Sequence, residues 1–561
     1  MEKRALLAIA LSVLVLFVFR YFVDQQAEQQ VRLKPPAATP IPAQQLPPPQ
    51  PQTAEAVPAP AAVPRTPSAA ADTKATPASL VIECSLYRAV LDNKGAAITS
   101  WQLQHYKSVS GEPFEMVAPG NDHAFPGSVV FDDPEATAAA GNDYYELQLV
   151  DGQEHAGTIV PPATMVLRLH KGPLSFEKRY RFEKDKYVVN VAGTFEKDGK
   201  PLPGRVLLAE DIGPEKEHLF NPSMELNGIA ERNGKIQRES APKDPNEVKR
   251  VNGDIRWAGL DMQYFAIIAI PARPFAAVDI QKKTVKVVGL EGNEISRDLL
   301  RVTVPSDGAT GFGLYLGPKR RTDLGSVNGV DLSGVINYGM FSFLVLPLLA
   351  ALRWIDAFTH NYGLAIVVLT LLLTLALFPL RLKQMLSMKK MAVVQPKIKA
   401  IQEKYRRYKK TDPKRAEMNQ EVMAIYKEHG VNPLGGCLPL LVQMPLLYAF
   451  YSLLAYSIEL RQAPFAFWLH DLSAKDPYYI LPIIMGVSMF ISQKMTPMAP
   501  GADPTQAKMM MVMPVVLTFM FLNLSSGLNL YFLCSNIFQI GFQKISERWI
   551  GDGRSRVKSQ A

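Results

Sequence analysis

The stretch VNPLGGCLPLLVQMP, residues 431–445, decides the fold, because a charged segment turns there through Asn-Pro and Gly-Gly into an apolar run. Residues 392–430 upstream are too charged to lie in hydrocarbon. Residues 437–458 downstream are long enough, at about 1.5 Å per residue, to cross about 30 Å of lipid. The stretch therefore marks the point where the chain passes from water into a bilayer.

The composition indicates an aqueous part and a membrane part. Hydrophobic residues make up 48% of the 561-residue chain, its formal net charge is +9, and its long apolar runs lie at the N-terminus and after residue 334. Cys84, Cys437 and Cys534 lie far apart, which argues against a disulfide framework and a C-x-x-C metal site. We therefore expect several domains, no bound metal and no cofactor.

The N-terminal residues are predicted to anchor the chain in a membrane. Residues 1–4 carry two cations and residues 5–23 are almost wholly apolar, which indicates that residues 1–24 form an uncleaved transmembrane anchor. A cleaved signal peptide is the alternative, but the apolar run is long and no small-residue cleavage site follows it. Residues 25–80 are rich in proline and alanine and predict a disordered linker.

Residues 81–335, here called the β-domain, contain many short segments in which apolar and polar residues alternate. Examples are residues 176–182, 276–280 and 284–288. Alternation in short segments between turn residues predicts an all-β sandwich. The histidines of this domain lack the spacing of metal ligands, so the sequence indicates a binding or structural module whose ligand is unknown.

Five apolar segments after residue 360 are predicted to cross the membrane, so that the chain has six spans, of which five form the core. These segments are residues 362–380, 438–458, 478–491, 509–524 and 528–542. The basic segment, residues 382–430, carries thirteen lysine and arginine residues against five acidic residues, which places it in the cytosol. The outer loop, residues 459–477, then lies outside, and a basic tail, residues 546–561, lies inside.

Residues 336–360 are predicted to form an amphipathic helix at the outer membrane interface. If they crossed the membrane, the basic segment would lie outside. Their apolar run is also interrupted by Arg353, Trp354, Asp356 and His360, as suits an interfacial helix.

The helical core is then residues 361–545, with a cytosolic helical hairpin at about residues 384–430. Pro396 is predicted to begin the first hairpin helix, and Asp412 and Gly430 to bound the second. The positive charge of the hairpin is compatible with binding to RNA or anionic lipid. We favour the simpler explanation that the cations only reflect the general enrichment of lysine and arginine in cytosolic segments.

Polar side chains lie within the predicted spans. Thr370 and Thr374 share one face of their helix, Gln443 lies early in the next span, and Asn529, Asn536 and Gln539 recur on the last one. Amides cannot all satisfy themselves within one helix, so we expect either hydrogen bonds between helices or, with Tyr531, a wet cavity. The spans contain no nucleophile with its base, no metal cluster and no acidic relay, which argues against an intramembrane protease and an ion-coupled pump.

The sequence resembles the YidC/Oxa/Alb family of membrane protein insertases, and its layout resembles the full-length Gram-negative members. The resemblance lies in QPKIKAIQEKY from Gln395, VNPLGGCLPLLVQMP from Val431, ELRQAPFAFWLHDLSAKDPYYILP from Glu459, QKMTP from Gln493 and SSGLNLYFLCSN from Ser525. It implies a β-supersandwich, similar to sugar mutarotases, for the β-domain. It also implies that the helical core inserts nascent membrane proteins without a nucleotide.

The resemblance further implies an inner-membrane protein with cytosolic termini and a periplasmic β-domain. Its partners would be nascent membrane proteins and lipid, and in some settings the Sec translocon and the ribosome. A transporter or channel, and a membrane-tethered carbohydrate-binding protein or enzyme, are the alternatives. A cavity that opens alternately to both sides would favour the first, and a paired-carboxylate cleft in the β-domain the second.

The resemblance also assigns the substrate groove. It places Thr370 and Tyr531 on a hydrophilic groove and Gln443 near its mouth, where we add Asn529 and Asn536 from the residue pattern. Family members carry an arginine in this groove, and the motifs NYG at residues 361–363 and FPL at residues 378–380 put Thr374 in its place. Arg381, about 10 Å nearer the cytosol, is the candidate substitute charge. We expect weaker insertion of substrates with acidic tails.

Overall fold

The computed structural model describes residues 75–558 except 109, 118–123, 156, 214–225, 245–246, 289–293, 406–407, 409–412, 429–437 and 496–503. The predicted anchor, the linker before residue 75, Asp412, Gly430 and the first half of the 431–445 stretch lie outside the described residues. The β-domain begins with a strand at Ser79, two residues before its predicted boundary.

The β-domain is built from eighteen described strands. They are β1 Ser79–Glu83, β2 Tyr87–Asp92, β3 Ala97–Lys107, β4 Pro113–Glu115, β5 Val129–Phe131, β6 Glu146–His155, β7 Thr158–Lys171, β8 Leu174–Phe182, β9 Val188–Lys197, β10 Lys200–Pro201, β11 Gly204–Glu210, β12 Asn227–Arg232, β13 Lys235–Ser240, β14 Val248–Asp261, β15 Phe265–Pro271, β16 Phe275–Val288, β17 Glu294–Ser306 and β18 Ala309–Pro318.

The strands form one large curled sheet. Hydrogen-bonded neighbours run β4-β3-β2-β1-β7-β8-β9-β18-β15-β14-β16-β17-β11-β5, while β6, β10, β12 and β13 pair at its branches. The β1–β7 pair is parallel and the other described pairs are antiparallel. Alternate residues of β8 are buried, including Phe176, Tyr180 and Phe182, which is the pattern that the sequence predicts for a strand with one face on a core.

One strand prediction is wrong. Residues 276–280 and 284–288 belong to the single strand β16 and not to two strands. The intervening Gln-Lys-Lys contains no turn residue, and Lys282 continues the ladder opposite Leu300 of β17. A polar interruption without glycine or proline therefore does not end an antiparallel strand that is already paired.

All described helices but one come after the last strand in the chain. They are α1 Pro134–Asn142, α2 Arg321–Leu324, α3 Ser342–Thr359, α4 Tyr362–Lys404, α5 Lys414–Glu428, α6 Leu438–Tyr456, α7 Ile480–Met495, α8 Pro504–Phe521 and α9 Ser526–Lys558. Short 3-10 turns lie at Ser333–Val335 and Ile458–Leu460. Each of the five segments predicted as core spans is thus helical over most of its length, and α9 continues into the predicted C-terminal tail.

Helix α4 differs from the prediction at the hairpin. It runs without a break for 43 residues and contains Pro379 and Pro396, so Pro396 does not begin a new helix. Val394 and Ile398 lie on either side of Pro396 and bury their side chains with Tyr426 of α5. This packing holds the helix together where proline removes a backbone hydrogen bond. The hairpin exists, but its first arm is the extension of α4.

The bundle helices pack against one another and against the β-domain. The buried side chains of the β-domain and of the bundle form one continuous apolar cluster, in which Phe450 of α6 and Met485 of α7 are fully buried. Among the described residues, Ser342–Thr359 and Tyr362–Lys383 are long and apolar enough to span a bilayer, and Ile480–Met495 and Met511–Phe521 are shorter apolar helices.

Candidate functional site: a polar cluster in the helical bundle

Thr370 and Thr374 lie on the buried face of α4. Both side chains are at most 4% exposed. The Thr370 hydroxyl donates to the Ile366 carbonyl at 2.6 Å, and the Thr374 hydroxyl donates to the Thr370 carbonyl at 2.7 Å. Each threonine therefore satisfies its donor within its own helix, which leaves the hydroxyl oxygen as an acceptor at this depth.

Asn529 and Asn536 of α9 make contacts between helices. The Asn529 side chain is fully buried, and its amide donates to the carbonyls of Phe521 at 3.2 Å and Leu524 at 3.4 Å, at the end of α8. The Asn536 amide donates to the Ser488 hydroxyl on α7 at 3.1 Å. Of the two alternatives that the sequence leaves open, hydrogen bonds between helices or a wet cavity, these contacts agree with the first.

Gln443 and Tyr531 meet between α6 and α9. The Gln443 side chain lies beside the Tyr531 hydroxyl and interacts with it electrostatically, and the Tyr531 ring stacks on Phe450 with 4.2 Å between ring centroids. Tyr531 is 3% exposed, whereas Gln443 is half-buried. The stack fixes the tyrosine ring, so its hydroxyl is held at a defined point on the inside of the bundle.

Arg381 of α4 lies beside this pair. Its guanidinium donates to the Gln539 side-chain oxygen of α9 at 3.2 Å and interacts electrostatically with Tyr531. The side chain is half-buried. No charged side chain occurs in residues 362–380 of α4, 438–456 of α6 and 526–543 of α9, so Arg381 is the first cation on α4 counted from its N-terminal end. The structure thus brings Arg381, Gln443, Tyr531 and Gln539 together, but it keeps Asn529 and Asn536 in separate contacts.

Sequence reasoning missed two partners. The Ser488 hydroxyl accepts a hydrogen bond from the Asn536 amide. The sequence signal that could have identified Ser488 is its spacing of four residues from Ser492, which places both serines on the same face of α7. Glu459, at the start of the outer loop, pairs with Arg353 of α3. Among the described residues no group of three or more histidine, cysteine or acidic side chains is placed to hold a metal ion.

Comparison with known families gives two matches, which meet within α3. The family described as "YidC periplasmic domain" matches residues 79–351, and the family described as "60Kd inner membrane protein" matches residues 354–552. The first covers the β-domain and most of α3, and the second covers the remaining helices.

Relatives match over nearly the whole length. The membrane protein insertase YidC of Syntrophus aciditrophicus is 33% identical over 560 residues, which cover 97% of this chain and 99% of the relative. That of Geotalea daltonii is 33% identical over 569 residues, which cover 97% and 98%. A crystal structure of an active YidC insertase with its first transmembrane domain resolved is 18% identical with a TM-score of 0.35, and the match covers 82% of this chain and 91% of that chain.

The full-length relatives, at one third identity, decide the assignment, and the two family matches agree with it. They make this an inner-membrane protein with a periplasmic domain and a helical core, and not an enzyme. The chain therefore belongs to the YidC family of membrane protein insertases.

Proposed function

We propose that this chain moves nascent transmembrane segments from the cytosol into the inner-membrane bilayer, alone or with the Sec translocon, through a hydrophilic groove bounded by α4, α6 and α9. The observation that carries the proposal is the cluster of Arg381, Gln539, Tyr531 and Gln443 on helices that are otherwise apolar at this depth. A transporter, a channel and a carbohydrate-binding protein are set aside by the family assignment.

The groove acts by shortening the path of a polar tail through hydrocarbon. Each unpaired polar group of such a tail costs several kcal/mol in lipid, so hydrogen-bonding partners inside the bundle lower the barrier. The Thr374 side chain offers a hydroxyl oxygen but no charge. Arg381, held by Gln539, takes the role of the groove cation at a depth nearer the cytosol. No step needs a nucleotide.

An apolar surface beside the groove suits the hydrophobic part of a substrate. The described side chains of α8 from Met511 onward are largely exposed, with Phe519 70% and Met520 56% exposed. On α6, Met444 and Tyr448 are also exposed. Lipid or a nascent transmembrane segment covers this surface in the membrane, because exposed apolar area of this extent is unfavourable in water.

The six-span arrangement receives support from a contact between the β-domain and the outer loop. Gln462 of the outer loop hydrogen-bonds Lys107 of β3, so the two lie on the same side of the membrane. If α4 and α6 each cross once, this requires α3 not to cross. Trp354 and Phe358 of α3 are 65% and 70% exposed, as suits a helix that lies at the outer interface. The curled β-domain, which the family resemblance describes as a supersandwich, is then wholly periplasmic.

The test compares two substrates in vesicles that contain the full-length protein. One is a single transmembrane segment with a short acidic tail, and the other carries the matching amides in that tail. Arg381→Gln should lower insertion of the acidic-tailed substrate about tenfold more than that of the neutral one, since tenfold corresponds to about 1.4 kcal/mol, the scale of a charge-assisted hydrogen bond. Adding Thr374→Arg should restore it.

Lys383→Gln is the matched control, because Lys383 is an exposed cation two residues further along α4. It should leave the ratio of the two substrates unchanged. Equal losses for both substrates in Arg381→Gln, or no rescue by Thr374→Arg, would show that no groove cation draws acidic tails inward.

A further inference from the structure

The outer loop contacts the β-domain through two adjacent side chains, Arg461 and Gln462. Both follow the 3-10 turn Ile458–Leu460 that ends α6. They reach Lys107, the last residue of β3, and three aromatic rings of the β-domain. The contact therefore joins the two domains at residues separated by more than 350 positions in the chain.

Arg461 lies among three aromatic rings. Its guanidinium carbon is 5.3 Å from the ring centroid of Phe114, 5.5 Å from that of Tyr264 and 5.2 Å from that of Phe265. The guanidinium also donates to the Lys107 carbonyl at 2.9 Å. A cation within about 6 Å of several ring faces is attracted by each of them, and most strongly where water is excluded.

Gln462 binds the same residue at two points. The Lys107 amide donates to the Gln462 side-chain oxygen at 3.0 Å, and the Gln462 side-chain nitrogen donates to the Lys107 carbonyl at 2.7 Å. Gln462 adopts a positive φ of 57°, which lies in the left-handed region that few side chains occupy. Its amide thus takes the place of a neighbouring strand at the end of β3.

The same loop also holds the outer ends of three helices. The amides of Ser526 and Gly527, at the start of α9, donate to the carbonyls of Ala474 at 2.7 Å and Leu472 at 2.8 Å. The buried Asp476 accepts from the Leu481 amide of α7 at 2.7 Å. Asn361, which caps α4, donates to the Phe465 carbonyl at 3.0 Å.

We propose that Arg461 and Gln462 form a clamp through which the β-domain holds the outer loop, and through it the outer ends of α4, α7 and α9, in one arrangement. The clamp is a mechanical connection within the chain. It is independent of whether the groove binds substrate tails, because none of its residues lies in the cluster around Arg381.

The test measures amide hydrogen exchange in the full-length protein in lipid nanodiscs. Arg461→Met keeps an unbranched apolar stem but removes the cation. It should speed exchange at least tenfold in two places, at residues 105–107 and at Ser526 and Gly527, although the second pair does not contact Arg461. Arg461→Lys retains a cation and should give intermediate rates.

Two references make the result decisive. His470→Ala changes an exposed side chain of the same loop and should leave both regions at their original rates. The paired amides of β7 and β8 should also be unchanged, which excludes general unfolding of the β-domain. Faster exchange at residues 105–107 alone, or at neither place, would overturn the clamp.

Discussion

At the scale of single residues, Lys178 is a cationic side chain inside the apolar core of the β-domain. It is 1% exposed, and its amine donates to the carbonyls of Gly95 at 2.8 Å and Ala96 at 3.2 Å. The amine also lies 5.7 Å from the Tyr145 ring centroid. Burial strips water from the ammonium group and lowers the pKa of Lys178 from 10.5 to about 7.

Replacing Lys178 with methionine should remove a dependence of stability on pH. In the unfolded chain the lysine binds its proton at the ordinary pKa, so between pH 7 and 10.5 the unfolded state holds more protons than the folded state. The stability of the original protein therefore falls as the pH falls through this interval, by up to about 1.4 kcal/mol per pH unit, and is level below it. This slope is measured by denaturant unfolding of the full-length protein at several pH values, with amide hydrogen exchange in β8 as the signal that reports unfolding.

The slope is the readout because methionine also takes away a donor from the Gly95 carbonyl, which costs stability at every pH. Lys186→Met, on an exposed turn between β8 and β9, is the control and should keep the original slope. A Lys178→Met protein with the same slope would mean that another group causes the pH dependence.

At the scale of elements, α7 and α8 approach closely at a glycine. A Cβ atom added at Gly486 of α7 would overlap the Thr518 hydroxyl oxygen of α8. That hydroxyl is also fixed by its bond to the Pro514 carbonyl at 2.7 Å. Close approach through a small residue is a common way for helices to associate in a membrane, where dispersion and not water release holds them.

Gly486→Ala should push the two helices apart and lower the unfolding free energy by about 1–3 kcal/mol, the usual cost of overpacking. Thermal unfolding in detergent measures the loss, and Thr518→Ala in the same chain should partly restore it. Gly541→Ala on α9 is the matched control, since a Cβ there meets nothing within 4 Å. Helix propensity favours alanine at both positions, so Gly541→Ala should be neutral or slightly stabilising, and a loss of the same size at both glycines would show that the close approach to Thr518 is not responsible.

The elements also show where sequence patterns succeed and fail. Alternation predicted β8 and the apolar runs predicted α4, α6, α7, α8 and α9, because burial on one face or on all faces leaves a local signature. Pro396 misled the prediction because the packing of Val394 and Ile398 on α5 depends on residues about thirty positions away. In the same way, Thr374 and Arg381 could be named from the sequence, whereas the contact of Arg381 with Gln539 required the fold.

At the scale of the whole molecule, the contact between the outer loop and the β-domain constrains the topology. Lys107 and Gln462 are bonded to each other, so an even number of crossings separates them. The sequence predicted this arrangement from the charge of the basic segment together with the number of apolar segments. The two arguments are independent, because one uses the charge of the basic segment in the sequence and the other uses neutral hydrogen bonds in the fold.

Thiol labelling can test the arrangement in a chain whose three native cysteines are replaced. An impermeant maleimide added outside spheroplasts should label Glu154→Cys in β6 and His470→Cys in the outer loop, both at exposed positions. Lys399→Cys, exposed near the end of α4, should react only after the membrane is opened. Labelling of Glu154→Cys and His470→Cys from opposite sides would mean that α3 crosses the bilayer.

The unbroken course of α4 has one more consequence. Its 43 residues give a rod about 65 Å long, roughly twice the thickness of the hydrocarbon it enters. At the N-terminal end of α4, Asn361 is hydrogen-bonded to the outer loop, and near its C-terminal end α4 packs against α5. Arg381 and the residues that pack on α5 therefore belong to one continuous helix, so a displacement of α5 can reach Arg381 without passing through a loop.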